Sequence, residues 1–225
     1  KVRKDPMLKK LASSVLVAAA MLASAQGAFA EEKLFKNYVY QTPLAKFTEA
    51  AGYYDCSEDV GGTARCIDDV DFLEEKFTVA LIFSGDKLMM VSLISPFDQN
   101  LYVKAIAGLS KSFTLVSLSD EKSILDMFDT ARKSRSTEEL TTKISNFEQV
   151  GLASGNLTYT FLEGLSAKGQ TNAVSALAAA PENIRSAELV MAGQGADSGM
   201  IIRFTFPRLE ANKILAEAKK PVESF

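Results

Sequence analysis

The chain has 225 residues, with 25 basic and 28 acidic side chains, two cysteines and no histidine. A net charge of −3 argues against a nucleic-acid partner, whose phosphates require clustered lysine and arginine. The absence of histidine from this sequence excludes Ser-His-Asp and Cys-His catalytic sites.

Residues 1–30 predict a cleaved secretory signal peptide. The apparent start, Met7, follows six extra residues (1–6) and precedes two lysines and an apolar run over 11–25. Small residues at the end of the segment predict cleavage before Glu31. The run of 15 residues is shorter than the roughly 20 that a permanent spanning helix needs, which favours a signal peptide over an uncleaved anchor.

Cleavage would leave residues 31–225, with 20 basic and 27 acidic side chains. This balance disfavours attraction to an anionic membrane surface. No later run is long and apolar enough to cross a bilayer, so no stable membrane insertion is expected after cleavage. The sequence therefore predicts a soluble bacterial protein that is periplasmic or secreted.

Cys56 and Cys66 predict a disulfide. An even number of cysteines pairs by default in an oxidising compartment, and Gly61-Gly62 between them lets the chain turn back. A redox pair requires Cys-x-x-Cys, which is absent. A zinc site requires four ligands, which two cysteines without histidine do not supply.

Carboxylates around the two cysteines suggest a calcium hypothesis. Calcium takes oxygen ligands from flexible loops, but the residue order of an EF-hand is absent. The alternative is a solvated acidic loop whose charges discourage pairing with other sheet edges. The candidate cation ligands are Asp55, Glu58, Asp59, Asp68, Asp69 and Asp71.

Periodicity and turn residues predict alternating helices and strands along the first half. Two β-rich runs around a glycine turn indicate a hairpin. The predicted elements are a helix over 42–52, hairpin strands over 77–83 and 87–94, a helix beginning at Asp98, a strand over 113–119 and a helix over 119–135.

The second half uses the same kinds of element in a different order. A capping-box pattern at Ser136–Glu139 begins a helix. The later predicted elements are a strand over 157–163, a helix over 172–180, hairpin strands over 187–192 and 199–206, and a helix over 208–220.

These elements predict an α+β fold, with an antiparallel or mixed sheet built from hairpins and helices packed on one face. A polar linker near 132–136 divides the chain into two small lobes, 31–135 and 136–225. A single domain containing both halves is the alternative.

No catalytic residue is assigned and no cofactor is expected. Ser84–Lys87 and Ser119–Lys122 match Ser-x-x-Lys, but the accompanying motifs of Ser-Lys hydrolases are absent. Carboxylate catalysis needs a carboxyl group with a raised pKa, whereas Asp68 and Asp71 lie among polar neighbours.

The prediction for function is a non-catalytic binding or protein-interaction module of the cell envelope, whose partner is an unknown envelope protein or a small ligand. The alternatives are a carboxylate- or Ser-Lys-dependent hydrolase and a carrier of a small apolar ligand. Phe35, Tyr38 and Tyr40 are a candidate partner surface, with packing of a terminal strand in the core as the other interpretation. Candidates for an adaptable groove, or else for core filling, are Met89, Met90 and Met191.

Overall fold

The computed structural model describes residues 31–218. The described residues from Glu32 onward form one compact unit. The predicted signal peptide, residues 1–30, lies outside the described residues. Within 31–218, no helix combines the length and the apolar composition needed to cross a bilayer.

Eleven strands and six α-helices make up the described chain. The strands are β1 (Lys33–Phe35), β2 (Tyr38–Val39), β3 (Tyr54–Asp55), β4 (Ala64–Phe72), β5 (Glu75–Ser84), β6 (Lys87–Pro96), β7 (Phe113–Ser119), β8 (Ile124–Asp126), β9 (Asn156–Glu163), β10 (Ser186–Ala192) and β11 (Gly199–Thr205). The helices are α1 (Ser57–Val60), α2 (Gln99–Leu109), α3 (Met127–Lys133), α4 (Thr137–Ser154), α5 (Ala173–Ala179) and α6 (Pro207–Ala218). Short 3-10 turns lie at Leu44–Lys46, Glu49–Ala51 and Gly195–Asp197.

Nine strands form one antiparallel sheet in the order β3-β4-β5-β6-β11-β10-β9-β7-β8, and β1 pairs with β2 separately. The predicted hairpins are present as β5–β6 and β10–β11. Strand β6 pairs with β11, with Ile94 opposite Ile201. Strands from 31–135 and from 136–225 therefore share one sheet, and the predicted α+β class with an antiparallel sheet is confirmed.

Helices pack on both faces of this sheet rather than on one. Successive residues of a strand point to opposite faces, and in β9 Phe161 lies in the main core whereas Leu162 lies in a second cluster. Side chains of α2 and α4 join the main core, while Phe128 of α3 and Ala176 of α5 join the second. Because the central strands are apolar on both sides, each face requires a cover.

Two single 3-10 turns replace the predicted helix over 42–52. Phe47 is buried, with its ring centroid 5.2 Å from that of Tyr53 and 5.6 Å from that of Phe83. The backbone N–H of Leu44 donates to Asp86 O at 3.0 Å. These contacts with the β5–β6 hairpin hold the segment in a path that one continuous helix could not follow.

The predicted helix over 119–135 is shorter, because its first part is a turn followed by β8. Asp120 accepts hydrogen bonds from two backbone N–H groups of this turn, each at 2.7 Å. Asp126 accepts from two N–H groups of the first turn of α3, each at 3.0 Å. Short acidic side chains compete with helical hydrogen bonding and favour turns and N-caps, so α3 begins after Asp126.

Candidate ligand-binding site

The predicted disulfide between Cys56 and Cys66 is present, with 2.06 Å between the sulfurs. Both residues are buried beside Ala64 and Ala80. The bond connects the start of α1 to β4, where Cys66 lies opposite Tyr54 of β3. The sulfurs therefore fix one edge of the sheet and supply no thiol.

Asp55, the first of the candidate cation ligands, forms hydrogen bonds and an ion pair with neighbouring residues. It accepts hydrogen bonds from the N–H and hydroxyl of Ser57 at 3.0 and 2.6 Å and pairs with Arg65 at 2.6 Å. The hydrogen bonds from Ser57, followed by the bond from Arg65, lower the pKa of Asp55 from 3.8 to about 2. Asp55 is thus an ionised member of a local network at the sheet edge.

Asp68 and Asp71 likewise have their own partners along β4. Asp68 accepts from the hydroxyls of Tyr54 and Thr78 at 3.1 and 2.6 Å. Asp71 pairs with Lys76 at 2.7 Å, and the hydrogen bond from this lysine lowers the pKa of the Asp71 carboxyl. A general acid needs the opposite shift, a raised pKa.

The remaining acidic candidates do not complete a metal site. Glu58 and Asp59 lie in the first turn of α1, whereas Asp69 lies in β4. In the part of the chain that the structure describes, no group of three carboxylate or cysteine side chains comes close enough to hold a metal ion.

The two Ser-x-x-Lys stretches lie in strands and turns. Ser119 is the last residue of β7 and pairs with Ile124 of β8, so it does not begin a helix. Ser84 and Lys87 lie opposite each other across the β5–β6 turn. Neither serine has the helical setting that aligns the lysine in Ser-Lys hydrolases.

All three aromatic residues proposed as a partner surface, Phe35, Tyr38 and Tyr40, pack against the main core. The ring of Phe35 is 6% exposed, stacked on Phe204 at 5.2 Å and edge-on to Phe72 at 5.1 Å. Tyr38 packs against the core with its ring 6.3 Å from Phe47, and burial raises its pKa. Phe35 and Tyr38 are therefore the inward-facing side of a short terminal strand pair.

Met89 and Met90, two of the predicted groove residues, line a pocket between the β5–β6 hairpin and α6. This α6 pocket has a volume of about 410 Å³, within the range of about 300–1,000 Å³ that small-molecule sites occupy. Its lining includes Ser84, Met89, Met90, Thr205, Glu210 and Lys213.

Residues 40–42, which follow β2, contact both β6 and the residue before α6. The backbone N–H of Gln41 donates to Leu88 O at 2.8 Å, and the N–H of Leu88 donates to Thr42 O at 3.0 Å. The ring of Tyr40 contacts that of Phe206 edge-on, with 5.5 Å between the centroids. Tyr40 and Gln41 are thereby placed between β6 and the start of α6.

Helix α6 also contacts the loop that follows α5. It begins at Pro207, a favourable first helical residue. The Arg208 guanidinium donates to Ala180 O, and Asn212 donates to Glu182 at 3.3 Å. These contacts anchor the first two turns of α6 to the loop after α5.

Three buried polar atoms in this region have no hydrogen-bond partner among the described residues: Nε2 of Gln41, Oε1 of Glu210 and Nζ of Lys213. They are the three atoms of this kind in residues 31–218. Burial and then the Glu210 carboxylate raise the pKa of the neighbouring Tyr40 hydroxyl, while the Gln41 side chain opposes the increase. Glu210 and Lys213 line the α6 pocket, and since buried polar groups are normally paired, their two unpaired atoms mark it as a candidate site.

The backbone of Gln41, which is bonded to Leu88 of β6, is strained. Its φ of 65° lies in the left-handed region, which residues other than glycine adopt infrequently. Such strain persists where surrounding contacts enforce it, and it is concentrated at ligand sites. An unpaired amide and a strained backbone thus coincide in one residue.

A second polar cluster, in the main core, is paired internally. The hydroxyls of Tyr102 and Tyr159 are 2.5 Å apart, and Tyr159 donates to Glu148 at 2.8 Å. Burial raises the pKa of both phenols, so each keeps its proton at neutral pH. This cluster connects α2, α4 and β9 and leaves none of its three side chains without a partner.

A second cleft, of about 430 Å³, lies between the end of α4 and the β10–β11 turn. Phe97, Leu152 and Met191 provide its apolar walls. The amide of Gln194 also lines this hairpin cleft, but it donates to Ala153 O at 3.1 Å. None of the three unpaired buried atoms belongs to its lining, so it is the weaker candidate.

The sequence pointed separately to Tyr40, Met89 and Met90, but not to Gln41, Glu210 or Lys213. One available signal was the three-residue spacing of Glu210 and Lys213, which places both on one side of a helix.

Comparison of the chain with protein-family models, with curated proteins and with solved structures found no match. The proposal for a function therefore depends on the geometry of the α6 pocket.

Proposed function

We propose that this chain is a non-catalytic binding protein of the bacterial periplasm, exported by a cleaved signal peptide. The basic start, apolar run and small residues within 1–30 support export. The Cys56–Cys66 disulfide is consistent with an oxidising compartment. The lowered pKa values of Asp55 and Asp71 support a non-catalytic role for the acidic loop.

The proposed ligand site is the α6 pocket. The observation that carries this proposal is the presence of two unpaired buried polar atoms, Oε1 of Glu210 and Nζ of Lys213, in a pocket lined by Met89 and Met90. Methionine side chains adapt to ligands of different shape, while a few placed polar groups provide orientation. A concave pocket of this size favours a small molecule over an envelope protein as the ligand.

Export is tested by expressing the chain from Met7 in a Gram-negative host. Osmotic-shock fractionation is expected to recover it from the periplasm, and its intact mass to correspond to a chain that begins at Glu31. Replacing Ala30 with leucine provides the control, since a large residue before the bond blocks cleavage. A cytosolic product of unprocessed mass would contradict export.

Ligand binding is tested with N-phenyl-1-naphthylamine, a neutral apolar dye that fluoresces in apolar surroundings. A saturable increase in fluorescence with one dye per chain is expected. Met90→Gln should weaken the dye's affinity about tenfold, because a tenfold change requires about 1.4 kcal/mol and a polar amide is poorly matched to the dye.

Leu152→Gln is the matched control, because Leu152 lines the hairpin cleft and is 41% exposed. Its dye affinity should equal that of the unmodified chain. A loss of affinity confined to Leu152→Gln would place the site in the hairpin cleft. The absence of saturable dye binding would contradict the proposal that the α6 pocket accepts apolar molecules.

A further inference from the structure

We propose that the α6 pocket binds an α-amino acid with an apolar side chain, held as a zwitterion. This inference rests on the proposed function and assigns the chemical class of its ligand. It follows from the kinds of polar atom that converge on the pocket.

The unpaired atoms include both signs of charge. Glu210 and Lys213 are one turn apart on α6 and line the same pocket, yet neither the Glu210 Oε1 nor the Lys213 Nζ has a hydrogen-bond partner in residues 31–218. An unpaired carboxylate oxygen and an unpaired ammonium group can both be satisfied by one ligand that has a donor and an acceptor. An α-amino acid provides them as its ammonium and carboxylate groups.

The polar neighbours divide between the two ends of such a ligand. The Lys213 ammonium can donate to its carboxylate, while the Glu210 carboxylate can accept from its ammonium. A ligand with one charge would leave the opposite buried charge without a partner, which is unfavourable. The pocket should therefore discriminate against simple acids and simple amines.

The rest of the pocket suits an apolar side chain. Met89 and Met90 supply flexible thioether chains from β6, and Ile214 lines the pocket from α6. Ile214 is 64% exposed, which places it at the mouth. An aliphatic side chain would contact all three residues.

The test is isothermal titration calorimetry on the folded, disulfide-bonded chain with L-leucine, 4-methylpentanoate and 3-methylbutylamine. The last two compounds lack the amine and the carboxylate of leucine, respectively. Leucine is expected to bind with a stoichiometry of one and each analogue at least about tenfold more weakly, as expected when one buried charge loses its partner.

Variants distinguish ligand contacts from an internal structural pair. Lys213→Met should weaken leucine binding at least about tenfold and remove the preference for leucine over 3-methylbutylamine. Glu210→Gln should instead remove the preference over 4-methylpentanoate. Lys143→Met, at another helical lysine that pairs with Glu139 at 2.7 Å, should leave leucine binding unchanged. Circular dichroism would verify that each variant is folded.

Each alternative result is informative. Saturable binding of the dye without binding of leucine would overturn the amino-acid class while the proposed ligand-binding function stands. Equal affinity for leucine and 4-methylpentanoate would indicate a site for anions and overturn the zwitterion. Failure of both the dye and leucine to bind would contradict the proposed function itself.

Discussion

Replacing both Cys56 and Cys66 with alanine is expected to lower the free energy of unfolding by about 3 kcal/mol. The two residues are separated by 10 positions, so removing the bond releases a short closed loop in the unfolded chain. In a protein of this size, the change corresponds to a decrease of about 6–12 °C in Tm. Urea denaturation followed by circular dichroism, together with calorimetry, measures both quantities.

The effect should be concentrated at the edge of the sheet, because the other contacts of α1 and β3 with β4 are largely exposed to solvent. Helix α1 has no buried residue, and both residues of β3 are exposed. Reduction of the unmodified chain with dithiothreitol is the control and should reproduce the loss. If oxidised, reduced and alanine forms unfold at the same urea concentration, the disulfide does not stabilise the fold.

Arg185→Met should lower the free energy of unfolding by about 2–3 kcal/mol, since it removes a largely buried cation from a carboxylate partner. The Arg185 side chain is 21% exposed and forms two hydrogen bonds with Glu163, at 2.9 and 2.5 Å. It also donates to the carbonyl oxygens of Lys33 and Leu34, at 3.1 and 3.0 Å. The guanidinium carbon lies 5.3 Å from the ring centroid of Phe113.

These bonds fasten β1 to the sheet, so the substitution should also loosen the N-terminal strand pair. Faster tryptic cleavage after Lys36, detected by mass spectrometry, reports this local effect. Arg132→Met is the matched control, because Arg132 is 60% exposed and pairs with Asp129 on the surface. Arg132→Met should lower the free energy of unfolding by less than about 1 kcal/mol. Similar losses of stability for the two variants would show that the contacts of Arg185 stabilise the fold no more than a surface ion pair does.

Arg185→Lys provides an intermediate case. Lysine retains the charge but lacks the planar fork that makes two bonds with one carboxylate. Its stability should therefore lie between those of the unmodified chain and Arg185→Met.

Local signals in the sequence predicted several helix starts. Asp98 accepts from Leu101 N at 2.8 Å at the start of α2, and Ser136 accepts from Glu139 N at 3.2 Å at the start of α4. Each interaction joins residues three positions apart, so a short stretch of sequence contains both partners. The helix predicted over 119–135 was too long because the same kind of short-range bond, at Asp120 and Asp126, favours a turn and a later start.

The candidate site was accessible to sequence reasoning only in part. Methionine and tyrosine content drew attention to Met89, Met90 and Tyr40, but their convergence with α6 depends on the order of strands in the sheet. The two hairpins are adjacent because β6 pairs with β11. Lys213 and Met89 belong to one pocket for this reason, although they are far apart in sequence.

The sequence by itself determined the disulfide, the two hairpins and the α+β class, because each depends on spacing, alternation or turn residues within a short stretch. The tertiary structure decided which side chains are buried together. Arg185 reaches the Leu34 carbonyl across a separation of 151 residues, and the ring of Tyr40 packs edge-on against that of Phe206. Desolvation and hydrogen bonding act between neighbours in space, so these contacts arise only when the sheet brings distant segments together.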